Sequence, residues 1–297
     1  SVSLVDVIPG VPNLENLAMR HNGDILVSSV SSPRLHLVMP DHRHAPIIVT
    51  KIPYCVGLLG IVEGKSDIFY VIASNLTGET NSNAIWRIDL RDYRVSKSGV
   101  KGSARKSLIT ELPAAQQANG FSRISRYDET RFLIADSANG SISRFDASTG
   151  TTELVLTDNI MLPLPSGIGV GVNGVHTFDN HVFFTSLDQG VFAKFSITSK
   201  DSTSGPVQVI ARNISFQDDF ALSPSGRYAY VATNGPDQII EIDIRQKSKR
   251  VLASSYFLGA ASSILFDQRE SSNPRLFVTG ALAVGNATVG HVARLDL

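Results

Sequence analysis

A sixfold internal repeat is the feature that most constrains how this 297-residue chain can fold. Each copy has an apolar segment, a polar or glycine-containing turn, and a second apolar segment that ends in small residues. A third segment then follows and commonly ends in an acidic residue, as in Trp86–Asp89 and Ile240–Asp243. Units of roughly 40–60 residues with four strands each form β-propeller blades, so the repeat predicts an all-β, six-bladed β-propeller with four-stranded blades. The six copies are Glu15–Ser28, Gly57–Ser74, Asn119–Asp136, Asn173–Ser186, Asp218–Asn234 and Ser262–Gly280.

The two ends of the chain are complementary. The last repeat reaches Leu297 without a fourth strand, whereas the segment Leu4–Ile8 has no inner strands of its own. An open ring would leave unpaired strand edges, so we expect the N-terminal strand to pair into the last blade and close the ring. No linker or shift in composition divides the chain, which predicts a single domain over residues 1–297. A β-sandwich or several separate β domains is the alternative, and six matched copies argue against it.

The charge balance excludes several classes of partner. Lys and Arg number 27 and Asp and Glu number 27, so the chain lacks the positive charge that nucleic acids or anionic membranes attract. No apolar run approaches the roughly 18 residues of a membrane span. One cysteine, Cys55, excludes an internal disulfide and a thiolate metal cluster. We therefore expect a monomer with small-molecule partners, and neither nucleic acid nor membrane binding.

Four Asn-x-Ser/Thr sequons point to the secretory route. The chain begins at Ser1, and we expect it to be a processed product whose signal peptide has been removed. The prediction is a glycoprotein that is secreted or resides in the lumen of the secretory pathway. A cytosolic protein with accidental sequons is the alternative. The predicted glycosylation sites are Asn75, Asn139, Asn213 and Asn286.

Polar residues recur where the predicted inner strands begin. Since inner strands of a propeller line its central channel, Glu15, Asn119, Asn173 and Asp218 are expected to converge on the axis. Two carboxylates and two amides offer the hard oxygen ligands that Ca²⁺ prefers, and they are also the candidate catalytic residues. Gly57 and Ser262 take the same place in the other two copies. Each residue taken singly can instead be a cap, a turn residue or a buried polar group.

Apolar loops precede several of these inner strands. Exposed apolar loop tips are costly unless they line a pocket. We therefore expect these loops to form an apolar rim around the polar residues of the channel. The loops can alternatively pack on one another as a small separate core. The predicted substrate-binding residues, from these loops and the nearby strands, are Tyr54, Phe121, Met161, His176, Phe216, Phe257 and Ser262.

The repeat organisation, with Glu15, Asn119-Gly120, Asn173-Gly174 and Asp218, resembles the SMP-30/gluconolactonase-like six-bladed propellers over essentially the whole chain. The resemblance implies a divalent cation on Glu15, Asn173 and Asp218, with Asn119 as a further polar channel residue. It also implies a metal-dependent lactonase or esterase activity. Two positions depart from the lactonase pattern: Asn16-Leu17 stands where Gly-Pro usually follows the Glu, and Asp219 stands where a Gly often follows the ligand Asp.

Three runs, ENLAMRHNGDILVS, DDFALSPSGRYAYVATN and ADSANGSISRFD, are more similar to a fungal branch of these propellers. That branch includes the hetero-Diels–Alderases of tropolone-sesquiterpene biosynthesis. The resemblance implies a secondary-metabolite enzyme that joins a reactive quinone-methide-type polyketide to a terpene alkene, a meroterpenoid-forming reaction that requires no cofactor. A metal-dependent lactonase, with Ca²⁺ or another divalent cation, and a non-catalytic binding propeller remain as alternatives.

Overall fold

The computed structural model describes residues 1–75, 82–198, 203–267, 269 and 274–297. In these ranges the regular elements are β-strands and two short 3₁₀ turns, Asn159–Met161 and Tyr256–Leu258. The strands are β1 (Val2–Ile8), β2 (Leu17–Met19), β3 (Ile25–Ser29), β4 (Ser32–Val38), β5 (Ile47–Lys51), β6 (Gly57–Glu63), β7 (Ile68–Ser74), β8 (Ala84–Asp89), β9 (Arg94–Ser96), β10 (Gly99–Lys101), β11 (Arg105–Glu111), β12 (Ala118–Arg123), β13 (Arg131–Asp136), β14 (Ser141–Asp146), β15 (Thr151–Thr157), β16 (Val172–Phe178), β17 (His181–Ser186), β18 (Val191–Ile197), β19 (Thr203–Ala211), β20 (Gln217–Leu222), β21 (Tyr228–Thr233), β22 (Gln238–Asp243), β23 (Ser248–Ser254), β24 (Ser263–Asp267), β25 (Arg275–Val284) and β26 (Ala287–Asp296).

These strands form six four-stranded antiparallel sheets, one for each predicted repeat. Blades one to five contain β2–β5, then β6, β7, β8 and β11, then β12–β15, β16–β19 and β20–β23. The strands β9 and β10 make a separate hairpin within the second blade. The inner strands are β2, β6, β12, β16, β20 and β24, and the repeat-based prediction of a six-bladed propeller is confirmed.

The sixth blade closes the ring as predicted. Its order is β24, β25, β26 and β1, so the first strand of the chain is the outer strand of the last blade. The strand β1 pairs antiparallel with β26 from Val2 opposite Leu295 to Ile8 opposite Gly290. Ile8 is buried in a cluster that also contains Val27 of the first blade and Phe277 of the sixth. Hydrogen bonds and apolar packing therefore both tie the N-terminal strand into the closing blade.

Adjacent inner strands approach each other closely around the axis. In β6, β12, β16 and β20 the register shifts between the first and later pairs, which leaves two consecutive residues in a β-bulge. A Cβ on Gly120 would lie 2.1 Å from the backbone oxygen of Asn173 in the next blade, so only glycine fits there. The glycine of each Asn-Gly step thus permits the close approach of neighbouring blades.

Among the described residues, no helix has the length and apolar character needed to cross a lipid bilayer.

Candidate functional site

Four buried polar residues at or just before the starts of inner strands form a group that we call the axial cluster: Glu15, Asn119, Asn173 and Asp218. The partly buried Asn234, which follows β21, also belongs to it through its hydrogen bond to Asp218. Glu15 is 9% exposed and Asp218 is 5% exposed. The Asn173 side-chain amide donates to Asp218 Oδ1 at 2.7 Å, and the Asn234 amide donates to Asp218 Oδ2 at 3.1 Å. Three of the four predicted catalytic residues, Glu15, Asn173 and Asp218, therefore influence one another directly, by hydrogen bond or by charge.

Burial controls the protonation of the two cluster carboxyl groups. Loss of solvent raises the pKa of Glu15 well above its ordinary value, and the charges of Asp218 and Asp219 raise it further. Burial also raises the pKa of Asp218 to about 7, even though the hydrogen bonds from Asn234 and Asn173 act in the opposite direction. The cluster consequently retains acidic protons near neutral pH, which is the state required of a general acid.

Asn119 lies in the equivalent bulge of the third blade and is 5% exposed. Its side-chain oxygen is buried and has no hydrogen-bond partner among the described residues. A buried acceptor of this kind is costly unless a ligand or an ion satisfies it. Asn119 therefore offers a free acceptor inside the ring.

A hard cation fits the cluster by donor type, because Glu15, Asp218 and the amide oxygens of Asn119 and Asn173 are oxygen ligands. In the described part of the chain, no three His, Cys, Asp or Glu side chains are arranged to hold a metal ion. Asn173 also presents its nitrogen to Asp218, so its amide would have to turn before its oxygen faced a cation near that carboxylate. Amides would have to supply part of any cation site here.

Two members of this region were missed by the sequence analysis. Asn234 closes the fifth repeat copy and reaches back to Asp218. Asp219, the second residue of the fifth-blade bulge, accepts from His176 Nε2 at 2.9 Å and from Ser263 Oγ at 2.7 Å. The doublet Asp218-Asp219 was the available signal, since it places two adjacent carboxyl groups at the start of one inner strand.

The second blade differs from the prediction. Gly57 pairs regularly with Ser74, and the register shift comes later, between Leu58 and Ile61. Leu59, which is followed by Gly60 in the sequence, therefore occupies the position that Asn119 and Asn173 hold in their blades. The prediction for Gly57 was wrong because alignment by the first strand residue ignores where the bulge falls, and the second blade contributes an apolar side chain to this layer.

The predicted rim residues are divided between surface and core. Tyr54 is 99% exposed and Phe216 is 47% exposed, and both precede an inner strand on the same face of the ring. Phe257 is partly buried beside Tyr256, with their ring centroids 5.8 Å apart. Met161 is fully buried between the third and fourth blades. Phe121 packs on Phe132 in the core between the second and third blades, so Met161 and Phe121 are core residues rather than rim residues.

His176 and Ser262 also lie away from that rim. Ser262 Oγ donates to the backbone oxygen of Leu14 at 2.6 Å and so links the sixth blade to the first. His176 lies further along β16 and lines a cavity of about 800 Å³ at the opposite end of the ring, where the inner strands finish. We call this space the strand-end cavity and the predicted rim the strand-start face.

The predicted glycosylation sites differ in their surroundings. Asn213 and Asn286 are exposed. The side-chain nitrogen of Asn139 donates to Asp136 Oδ2 at 2.7 Å and to the backbone oxygen of Ala114 at 3.0 Å, so a glycan on that nitrogen would break both bonds. The sequon of Asn75 extends outside the described residues.

Comparison with known proteins gives one curated relative of interest. No family model matches the sequence. A protein of Sarocladium schorii named "Putative hetero-Diels-Alderase asR5" is 25% identical over 209 residues, which cover 62% of this chain. The match covers 51% of that protein, so the chain spans about half the length of the curated relative it matches.

Solved structures agree on the fold at low sequence identity. A calcium-binding protein, regucalcin, from Agrobacterium tumefaciens superposes with a TM-score of 0.67 at 12% identity, covering 98% of this chain and 94% of that one. A luciferin-regenerating enzyme gives 0.68 at 14%, covering 99% and 94%. The PQQ-bound aldose sugar dehydrogenase of Streptomyces coelicolor gives 0.62 at 14%, covering 99% and 98%. The solved structures show the propeller fold, and the curated match shows a similarity to one protein named as a putative hetero-Diels–Alderase.

Proposed function

We propose that this protein is a biosynthetic enzyme that catalyses an intermolecular hetero-Diels–Alder cycloaddition between a quinone-methide-type polyketide and a terpene alkene. The observation that carries the proposal is the axial cluster, where two buried carboxyl groups with raised pKa values lie beside amides that can bind a reactant oxygen. The similarity to the Sarocladium schorii protein supports the same class of reaction.

The carboxyl groups supply the acid–base step that generates the reactive partner. A protonated Glu15 or Asp218 donates its proton to the benzylic hydroxyl of a hydroxymethyl phenol, the carbon–oxygen bond breaks, and water leaves. The phenolic proton returns to the carboxylate, which restores the acid and leaves an ortho-quinone methide. The oxygen and the exocyclic carbon of this product then each form one bond to an alkene carbon, so the reaction consumes no oxidant and needs no nucleophile.

Positioning supplies the remaining acceleration. Holding two reactants in near-attack geometry is worth up to about 7–11 kcal/mol. A hydrogen bond from the amide of Asn119 or Asn173 to the quinone-methide oxygen lowers the energy of the electron-poor partner. The strand-start face carries exposed apolar side chains that suit a terpene, including Leu162, Ile168 and Phe216, and the last two line one pocket.

The test uses Glu15→Gln and Asp218→Asn, which remove the acids and keep the side-chain shape. With ortho-hydroxybenzyl alcohol and a sesquiterpene alkene as reactants, we expect each variant to lose about 10²–10⁴-fold in rate. A quinone methide generated photochemically in the assay should restore product formation by both variants, because it bypasses the acid step. Unchanged rates in both variants would remove the proposed acid roles.

A lactonase of the gluconolactonase type is the second candidate, favoured by the buried oxygen of Asn119, which has no hydrogen-bond partner among the described residues. In that case these residues would hold a divalent cation such as Ca²⁺, and the bound cation would polarise a lactone carbonyl. Hydrolysis of gluconolactone that requires stoichiometric Ca²⁺ would favour this candidate. Cycloaddition that proceeds fully in the presence of a chelator would favour the first.

A secretory location belongs to the same proposal. Asn213 and Asn286 are exposed at turns, where a glycan can be accommodated. Expression in a eukaryotic secretion host followed by glycosidase treatment should change the mass at these two asparagines. An unmodified secreted product would count against the glycoprotein assignment.

A further inference from the structure

We propose that the strand-end cavity is a second small-molecule site, one that takes a planar aromatic or enolic hydroxyl compound. Its walls are the final residues of four successive inner strands, β12, β16, β20 and β24. The volume of about 800 Å³ lies in the range of natural small-molecule pockets. None of Glu15, Asn119, Asn173 or Asp218 lines it, so the inference stands apart from the proposed function.

The polar centre of the cavity is His176, which Asp219 holds in one orientation. His176 Nε2 lies 2.9 Å from Asp219 Oδ1. Asp219 is itself fixed by the backbone N–H of Phe220 at 2.8 Å and by Ser263 Oγ at 2.7 Å. Since a carboxylate accepts, the neutral imidazole places its proton on Nε2 and leaves Nδ1 as an acceptor. No hydrogen bond joins Nδ1 to the described part of the protein, and 32% of the side chain is exposed.

An aromatic and apolar wall lies beside this acceptor, while polar residues such as Ser122, Thr177 and Asn180 line other parts of the cavity. The ring of Phe220 stands edge-on to His176, with centroids 4.8 Å apart and an angle of 87° between the rings. Phe178, Leu222 and Phe266 extend the same wall. Arg126 stacks on Tyr127 with its guanidinium carbon 4.7 Å from the ring centroid, which places a flat, amphipathic pair at the edge of the cavity.

One oriented acceptor beside an aromatic wall favours a ligand that places a hydrogen-bond donor on a flat apolar ring. A phenol or enol satisfies both requirements, because its hydroxyl group donates to His176 Nδ1 and its ring packs against Phe220 and Phe178.

Isothermal titration calorimetry with para-hydroxyacetophenone and its O-methyl ether tests the hydrogen bond with a matched ligand pair. We expect the hydroxy compound to bind the wild-type protein about tenfold more tightly than the ether. His176→Phe keeps the ring packing and should weaken binding of the hydroxy compound about tenfold, down to the level of the ether. His181→Phe, the same substitution in the same blade but outside the cavity lining, should leave its binding unchanged.

Three results would overturn the proposal. These are the absence of saturable binding by the wild-type protein, equal affinity for the two compounds, and loss of binding in Glu15→Gln together with normal binding in His176→Phe. The last result would place the phenol at the axial cluster. If His176→Phe does not fold, the ligand pair on the wild-type protein still decides, because it removes the same hydrogen bond without a substitution.

Discussion

Asp218 shows how one buried side chain can govern the pH response of the molecule. Its two oxygens accept from Asn173 and Asn234, yet burial outweighs these bonds and raises its pKa to about 7 from an ordinary value of 3.8. Between about pH 4 and pH 7 the folded protein therefore keeps a proton that the unfolded chain has lost. Asp218 accordingly makes the folded state less stable as the pH rises through this window.

The substitution Asp218→Asn should remove that dependence. On raising the pH from 4 to 8, the wild-type protein should lose up to about 4 kcal/mol of stability relative to the variant, from 1.36 kcal/mol per unit of pKa shift. Thermal unfolding of both proteins across this range measures the difference. The exposed Asp92→Asn variant controls for the loss of one carboxylate. Parallel pH curves for wild type and Asp218→Asn would contradict the assigned protonation.

Arg20 is a buried residue whose role is structural. It is 1% exposed, donates to both oxygens of Asp67 at 2.8 and 3.0 Å, and also donates to the backbone oxygens of Leu90 and Tyr93. This one guanidinium joins the first blade to the second.

Replacing Arg20 by Met should cost about 3–5 kcal/mol, because Asp67 would be left buried with only the largely exposed His21 beside it. Chemical denaturation gives this value directly. Arg105→Met, which breaks an exposed pair with Asp92, is the matched control and should change stability little. Equal losses in the two variants would show that the Arg20 pair adds nothing beyond an ordinary surface pair.

At the scale of elements, closure of the ring depends on β1. The sequence predicted this pairing from two complementary deficits, a last repeat without a fourth strand and a first segment without partners. The prediction was correct because an unpaired strand edge has to be paired whichever residues the strand contains.

Deletion of residues 1–8 should expose the edge of β26 and lower the unfolding temperature by many degrees. A peptide of those eight residues, added in excess, should partly restore stability in proportion to its concentration. A peptide with Asp in place of Val5 and Ile8 should fail, since both side chains are buried. Full stability of the truncated chain without peptide would contradict this mode of closure.

The approach of neighbouring inner strands is a second element-scale property. Gly120→Ala would place a methyl group 2.1 Å from the backbone oxygen of Asn173, an atom that cannot move without shifting β16. We expect a loss of about 1–3 kcal/mol or more and a displaced Asn173. Gly285→Ala has no neighbour within 4 Å and a φ of +60°, so it should cost only about 1–2 kcal/mol from backbone strain. Denaturation curves measure the loss of stability in both variants. A smaller loss in Gly120→Ala than in Gly285→Ala would refute the proposed clash.

For the whole molecule, the sequence predicted the ring better than the site. Strand alternation and a sixfold repeat are period-based signals, so fold and closure could be read from them. The partners of each polar residue depend on where a bulge falls and on contacts between blades. For that reason the sequence could not predict that Leu59 replaces Gly57, that Asn234 reaches Asp218, or that Met161 lies in the core. The sequence predicted His176 as a functional residue. It could not show at which end of the channel His176 lies, because this depends on the bulge that precedes it in β16.

The central claim is that this propeller catalyses a cycloaddition at its axis. The most direct measurement is the rate and stereochemistry of adduct formation from ortho-hydroxybenzyl alcohol and a sesquiterpene alkene, with purified protein and a chelator present. The proposed function predicts faster formation of one dominant stereoisomer, with full activity in the chelator and loss of activity in a Glu15→Gln, Asp218→Asn double variant. Adduct formed at the uncatalysed rate as a mixture of stereoisomers would contradict it.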